Sequence, residues 1–237
     1  LIRTLVHLET LPAGFNAHDI VAAKASLDDV RYHDPAEFHQ LLNESIAAIK
    51  QIPGVEDAAV ALSVPYERIL NDQITLRSGP NAGKNVQTDL DYVTPEYFGT
   101  LQIPLLAGRT FTASDNAKAQ QVAIVNRTFA ERFFGEENPV GRAIDNGVVI
   151  VGVVGDTQIS SGLNPVAPLQ TEETMYIPAA QVTQPQQIAL IHVWFQPSWI
   201  VRTAGPIAGL TEQMQRALFS VAPGLPFSGF YSMSDLQ

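Results

Sequence analysis

The residues that could do chemistry are five histidines, three doubled carboxylates (one Asp-Asp and two Glu-Glu) and two glycine-containing turns, and their spacing decides what chemistry is open to them. Two imidazoles share a metal on one helical face only at spacings such as H-x-x-x-H or H-E-x-x-H. His7, His18, His33, His39 and His192 form neither, and His192 reads as a core histidine satisfied within an apolar strand. Glycoside hydrolysis needs two carboxylates converging on one bond. Asp28-Asp29, Glu136-Glu137 and Glu172-Glu173 are neighbours that face different ways on regular structure, so they read as solvated loops. Gly79-Pro80-Asn81-Ala82-Gly83-Lys84-Asn85 looks like a phosphate loop but has three residues between its glycines, and Asn85 stands where Ser or Thr would hold magnesium. Gly152-Val153-Val154-Gly155-Asp156 lacks dinucleotide-loop spacing and an opening helix, so Gly155 and Asp156 are expected in a turn. No G-x-S-x-G elbow occurs, and with no cysteine there is no thiol catalysis, disulfide or Cys-ligated zinc. The sequons at Asn43 and Asn126 both fall in predicted helices. No catalytic, cofactor-binding or metal-ligating residue is assigned, no cofactor is expected, and the chain reads as not an enzyme.

The elements that would position any site follow two hydrophobic periods. Ile20 to Leu27 reads as a strand. Asp34-Pro35-Ala36-Glu37 then supplies an N-cap acceptor, a proline at the first helical position and an early acid, which together start a helix. Phe38, Leu41, Leu42, Ile46, Ile49 and Ile52 make one stripe on that helix, and Pro53-Gly54 ends it before a strand from Val55 to Val64. A second unit repeats the plan. Gln187 to Phe195 is apolar on both faces and reads as a central strand. Pro206 opens a helix carrying Ile207, Leu210, Met214, Ala217, Leu218 and Val221, and Pro223-Gly224 precedes a strand from Leu225 to Met233. Two β-α-β halves around a long insert predict an α+β fold with a split, ferredoxin-like subdomain and a strand-rich α+β subdomain between its halves.

Within the insert, Ile74 to Arg77 and Val86 to Val93 form a hairpin about the Ser78 to Asn85 loop. Thr94-Pro95-Glu96 caps a short helix bearing Tyr97, Phe98 and Leu101. A strand from Gln121 to Val125 leads into Asn126, the expected N-cap of a helix with Phe129, Ala130, Phe133 and Phe134. Val148 to Val154 and Thr174 to Ile177 read as further strands.

The whole chain bounds what such a fold can do. Its 237 residues suit one or two domains at roughly 150 residues each. With 14 Lys and Arg against 24 Asp and Glu, its net charge of -10 and lack of a basic cluster exclude nucleic acid as a partner. Only 16% of residues are charged against a usual ~25%, which leaves surface for contact with other protein. The longest apolar run, Val148 to Val154, falls far short of the ~20 residues of a membrane helix. Leu1 follows no Met or signal-peptide pattern, so the chain reads as an excerpt of something larger.

Val93-Thr94-Pro95-Glu96-Tyr97-Phe98-Gly99-Thr100-Leu101-Gln102-Ile103-Pro104-Leu105-Leu106-Ala107-Gly108-Arg109-Thr110-Phe111 resembles the extracytoplasmic core domain of MacB-like permeases in the FtsX-type ABC transporter superfamily. Ile52-Pro53-Gly54-Val55, Val122 to Asn126, Asn138 to Arg142, Ile150 to Asp156 and Tyr176-Ile177-Pro178 are similar to the family in the same order. The likeness runs from Leu11-Pro12-Ala13-Gly14-Phe15 to Ser232-Met233-Ser234-Asp235-Leu236, and is nearest to the large duplicated permeases common in acidobacteria. It implies a membrane-proximal segment over 1–17, a porter-like subdomain over 18–67 and 182–237, and an inserted subdomain over 68–181. It also implies a periplasmic domain of an inner-membrane protein, tied to its own transmembrane helices and served by an ABC ATPase subunit or domain. A periplasmic adaptor protein or a second permease copy are further partners it allows, although no adaptor-contact motif matches residue by residue. Pro95, Gly108, Asn126, Pro139, Gly141 and Gly155 are read as caps and turns. The function implied is non-catalytic coupling of transmembrane-helix motion to an extracytoplasmic partner or substrate in export. The alternatives are a free-standing ligand-binding or chaperone-like protein using the inter-subdomain cleft, and an enzyme whose site the sequence does not disclose.

Overall fold

A computed structural model describes residues 13–27, 30–160, 169–187 and 196–236. The first unit forms as its local chemistry dictates. After β1 (Ile20–Ala25), the Asp34 carboxylate accepts the Ala36 N–H at 2.9 Å. With Pro35 at the first helical position, this starts α1 (Pro35–Ile49). Phe38, Leu41, Leu42, Ile46 and Ile49 are buried along one stripe. Each contributes roughly 1.5–3 kcal/mol by leaving water. Gly54 then turns the chain at φ 91°, the Val55 N–H bonds the Ile52 carbonyl at 3.0 Å, and β2 follows (Val55–Ala61).

The intervening stretch is richer in strands. It comprises β3 (Leu70–Thr75), β4 (Asn85–Val93), α2 (Tyr97–Leu101), β5 (Leu105–Gly108), β6 (Val122–Asn126) and α3 (Arg127–Phe134). After these come β7 (Ala143–Ile144), β8 (Val148–Val154), β9 (Ile159–Ser160), β10 (Leu169–Gln170), β11 (Thr174–Pro178) and the short α4 (Gln184–Gln187). The predicted hairpin pairs in register, Thr75 against Asn85 and Leu70 against Leu90. Three elements close the chain: β12 (Ser198–Thr203), α5 (Leu210–Val221) and β13 (Phe227–Ser232).

Two expectations for this last unit need restating. The strand expected from Gln187 to Phe195, with His192, lies outside the described residues beyond Gln187. The central strand before the helix is instead Ser198–Thr203, paired with β1 on one side and β2 on the other. The helix begins at Leu210 rather than Pro206, because Gly209 takes a left-handed conformation (φ 64°) at the N-cap and turns the chain there. Pro223-Gly224 behaves as its counterpart does. Gly224 has φ 91°, and the Leu225 N–H bonds the Ala222 carbonyl at 3.1 Å, so both halves use the same turn.

Among the described residues, eleven strands form one sheet in the order β13-β1-β12-β2-β4-β11-β6-β8-β5, with β3 on β4 and β7 on β8. The first four are mutually antiparallel, the ferredoxin-like arrangement of two β-α-β units. Successive residues alternate between two cores. Ala58, Val60, Trp199 and Val201 face α1 and α5. Ala59, Ala61 and Ile200 face Tyr97, Phe98 and Leu101 of α2. One buried polar bond ties helix to sheet on the first face, where Trp199 Nε1–H donates to Ser45 Oγ at 2.8 Å.

Ser45→Ala keeps the helix but leaves the Trp199 N–H without its acceptor inside the core. The expected cost is about 1–3 kcal/mol of unfolding free energy in urea titration, with Trp199 fluorescence changed in the native baseline.

Candidate functional site

The place where the structure concentrates buried polar contacts between distant stretches is the start of the described chain. Residues 13–19 have no regular structure, so their backbone groups need partners from elsewhere. Arg202, on β12 and 6% exposed, supplies most of them. Its Nη2 donates to the Asn16 carbonyl at 2.7 Å, its Nη1 to the His18 carbonyl at 3.0 Å, and its Nε to the Thr100 carbonyl of α2 at 2.6 Å. Burial lowers the guanidinium's pKa, opposed by Glu56, Asp19 and Asp57. It stays charged at neutral pH.

Further bonds complete the strap. The Asn16 N–H bonds the Leu101 carbonyl at 3.0 Å, the Thr203 N–H bonds the Asp19 carbonyl at 2.9 Å, and the Gln158 N–H bonds the Ala13 carbonyl at 3.3 Å. Phe15 packs on Tyr66 with ring centroids 5.4 Å apart. Gly14, at φ +81°, lies so close to the backbone of Asp156 that a Cβ would overlap its carbonyl oxygen. The strap therefore touches both the split β-α-β part and the intervening strands. It also enters beside the exit, since Val21 pairs with Ser232 of β13.

Beneath the strap, the two parts of the sheet meet through little backbone. β3 occupies the same edge of β4 from Asn85 to Leu90, and β2 meets β4 at the Ala61–Val93 pair, flanked by the Leu62 N–H on the Tyr92 carbonyl and the Thr94 N–H on the Val60 carbonyl, both at 2.9 Å. Side chains reinforce this junction. Thr94 Oγ1 accepts the Val60 N–H at 3.0 Å, Asp91 Oδ1 accepts the Ser63 N–H at 3.1 Å, and Thr100 Oγ1 donates to Asp57 Oδ2 at 3.0 Å. Lys50 closes the group on Asp57 at 2.8 Å. Asp91 is fully buried, and its second oxygen has no hydrogen-bond partner among the described residues. Burial holds its carboxyl well above the usual carboxylate range; Glu67 pushes the same way and the Ser63 amide opposes it.

The motif positions named from the sequence fall at caps and close approaches around this frame. Asn126 is the N-cap of α3: its Oδ1 accepts the Phe129 and Thr174 N–H groups, both at 3.0 Å, and its Nδ2 donates to the Glu172 carbonyl at 2.8 Å. A Cβ on Gly108 would collide with the Val151 carbonyl. The Gly155 N–H bonds the Pro104 carbonyl, the Gly141 N–H the Ile150 carbonyl, and the Pro139 carbonyl receives the Arg142 N–H. Pro95 lies just before α2, where the expected cap is corrected: Glu96 is the N-cap without a side-chain bond, because the Thr94 hydroxyl is engaged by β2. Asp156 does more than turn the chain, its carboxylate accepting the Thr128 N–H at 2.8 Å. Glu172-Glu173 is also corrected. The pair is half-buried, lines a cavity with Asp89, and Glu173 pairs with Arg132. Asp28-Asp29 and His7 lie outside the described residues.

A sequence model described as the MacB-like periplasmic core domain matches residues 13–216, a span that opens with the strap and includes every junction residue. The chain belongs to the MacB-like periplasmic core domain family. Its fold is similar to the periplasmic region of MacB from Actinobacillus actinomycetemcomitans, with a TM-score of 0.56 at 14% identity over 97% of this chain and 95% of that one. The extracellular domain of the noncanonic ABC-type transporter YknZ from Gram-positive bacteria gives a TM-score of 0.50 at 17% identity over 89% of this chain and 99% of that one. In sequence, the chain is 30% identical over 147 residues to the "Probable syringafactin export ATP-binding/permease protein SyfD" of Pseudomonas syringae pv. tomato, 61% of this chain and 20% of that protein. The chain thus spans about a fifth of that relative's length. No helix among the described residues is long and apolar enough to cross a membrane.

In this MacB-like domain Asp91 sets a pH signature. A carboxyl raised in the folded state binds its proton more tightly there than in the unfolded chain, so it lowers stability as pH climbs above the unfolded value near 4. Asp91→Asn removes the ionisation and keeps the acceptor for Ser63. Its melting temperature relative to the native chain is expected to rise as pH climbs above about 4, measured by calorimetry at fixed ionic strength; a constant offset contradicts the assignment.

Proposed function

We propose that this chain is the extracytoplasmic domain of an ABC export permease, and that it carries transmembrane-helix motion to an extracytoplasmic partner or substrate without doing chemistry. In this reading, residues 18–67 and 182–237 form the porter-like subdomain and 68–181 the inserted one, with 1–17 proximal to the membrane. ATP is hydrolysed by a partner subunit or a fused domain, and an adaptor protein or a second permease copy receives the movement on the periplasmic side. Family membership and the ATP-binding/permease description of the SyfD relative support this.

The observation that carries the mechanism is the clamping of 13–19 by Arg202. A pull on an unclamped segment would be absorbed by its soft backbone dihedrals. Here the pull reaches β12, α2 and the link after β8 together through Arg202, Leu101 and Gln158. Packed cores resist continuous deformation, so displacement at one end becomes displacement of the body.

The test is the parent permease reconstituted with its ATPase, comparing Arg202→Ala with the native protein for ATP hydrolysis and export in the same vesicles. Hydrolysis is expected to persist while export falls on the order of tenfold, the size of a lost coupling free energy. Arg202→Lys, which keeps the charge but cannot reach three carbonyls in a plane, should lie between the two. Native export by a correctly folded Arg202→Ala protein would sink the reading, as would turnover of a substrate by the purified domain.

A further inference from the structure

Between β3, β4, α3, β9 and the approach to β11 lies a cavity of about 560 Å³. That is the size of a small-molecule site, whose volumes run roughly 300–1,000 Å³. Its walls are mainly polar and carry both signs of charge, with Arg68 close enough to Asp89 to oppose the rise of its pKa. Arg132 of α3 is taken by Glu173, whose Oε1 it meets. That leaves the carboxyl groups of Asp89 on β4 and of Glu172, and Arg68, which has no ion-pair partner among the described residues, as a cation. Glu172 receives a hydrogen bond from Gln170, and the Asp89 backbone is pinned by its N–H to the Glu173 carbonyl at 2.7 Å. Phe133 closes one side. A ligand with a single charge would meet only one of the two signs at these half-buried groups. A ligand carrying both signs satisfies both.

We propose that this cavity is a binding site for a small zwitterion, its ammonium directed to Asp89 and Glu172 and its anionic group to Arg68. The proposal stands on the cavity and its charges, independently of the coupling role above. The carboxyl of Asp89 is raised to about 7, first by burial and then by Glu172 and Glu173, with Arg68 opposing. Arg68, Arg132, Glu172 and Glu173 are the charged groups around it, from every element that packs there. Because the ammonium needs Asp89 ionised, affinity rises with pH across that value.

The experiment is calorimetric titration of the 237-residue chain with the series glycine, γ-aminobutyrate and 6-aminohexanoate, and with butylammonium and butyrate as single-charge controls. At least one zwitterion is expected to bind at least tenfold tighter than either control, and about tenfold tighter at pH 8 than at pH 6, the ratio of ionised Asp89 at the two values. Asp89→Asn should abolish the pH dependence. Arg68→Gln, which leaves the strand interior untouched, should bring the zwitterion down to the affinity of butylammonium. No binding by any zwitterion at millimolar concentration, equal affinity for butylammonium, or a pH dependence that survives Asp89→Asn would each overturn the site.

Discussion

Arg202 carries a charge into a place nearly closed to water, and three carbonyls from two unrelated stretches of chain are what make that position tolerable. Lysine could not substitute, since a single ammonium lacks the flat fork that meets three acceptors at once. The dependence is mutual. Residues 13–19 have no ladder of their own, and the C-terminal turn of α2 has carbonyls left over as any helix end does. Without the guanidinium, the buried Thr100 carbonyl would lose its partner, and the Asn16 and His18 carbonyls would be left to solvent.

Around that point the sheet divides its labour. Each β-α-β half buries a helix on one face through ordinary apolar stripes, and β12 is buried on both faces, Trp199 and Val201 on one and Ile200 with Arg202 on the other. The weak place is the β2–β4 contact, where the hairpin strand β3 has already taken the edge. Thr94, Asp91 and the Asp57–Thr100 pair compensate with bonds from side chain to backbone and from side chain to side chain. The raised carboxyl of Asp91 belongs with this: it accepts the Ser63 N–H inside the junction, and burial together with Glu67 favours its protonated form.

The sequence made the local layer of this plain. Asp34-Pro35, Asn126 and the paired Pro-Gly turns announce themselves because caps and turns act within a few residues, and the 3.6-residue stripes of α1 and α5 declare which face is buried. The central strand was harder to place. Ile188 to Phe195 has the stronger apolar alternation, whereas Ser198-Trp199-Ile200-Val201-Arg202-Thr203 contains a charge that argues against the interior until its partners are known. Those partners are 102 to 186 residues away, beyond any spacing rule. The Asp89 cavity was hidden for the same reason, since adjacent glutamates look solvated until α3 and β4 are seen to close on them.

The phrases that mark the family resemblance also bear on mechanism. Gly14 against Asp156, Gly108 against Val151 and Gly155 under Pro104 are sites of close backbone approach, and Asn126 is a cap that serves two elements at once. None of these contacts presents a reacting atom. Each removes a way for one stretch to slide past another: the strap past the link after β8, β5 past β8, α3 past β11. Stiffness at these joints follows from backbone approaching backbone with no side chain between, and the joints are where the family's phrases lie.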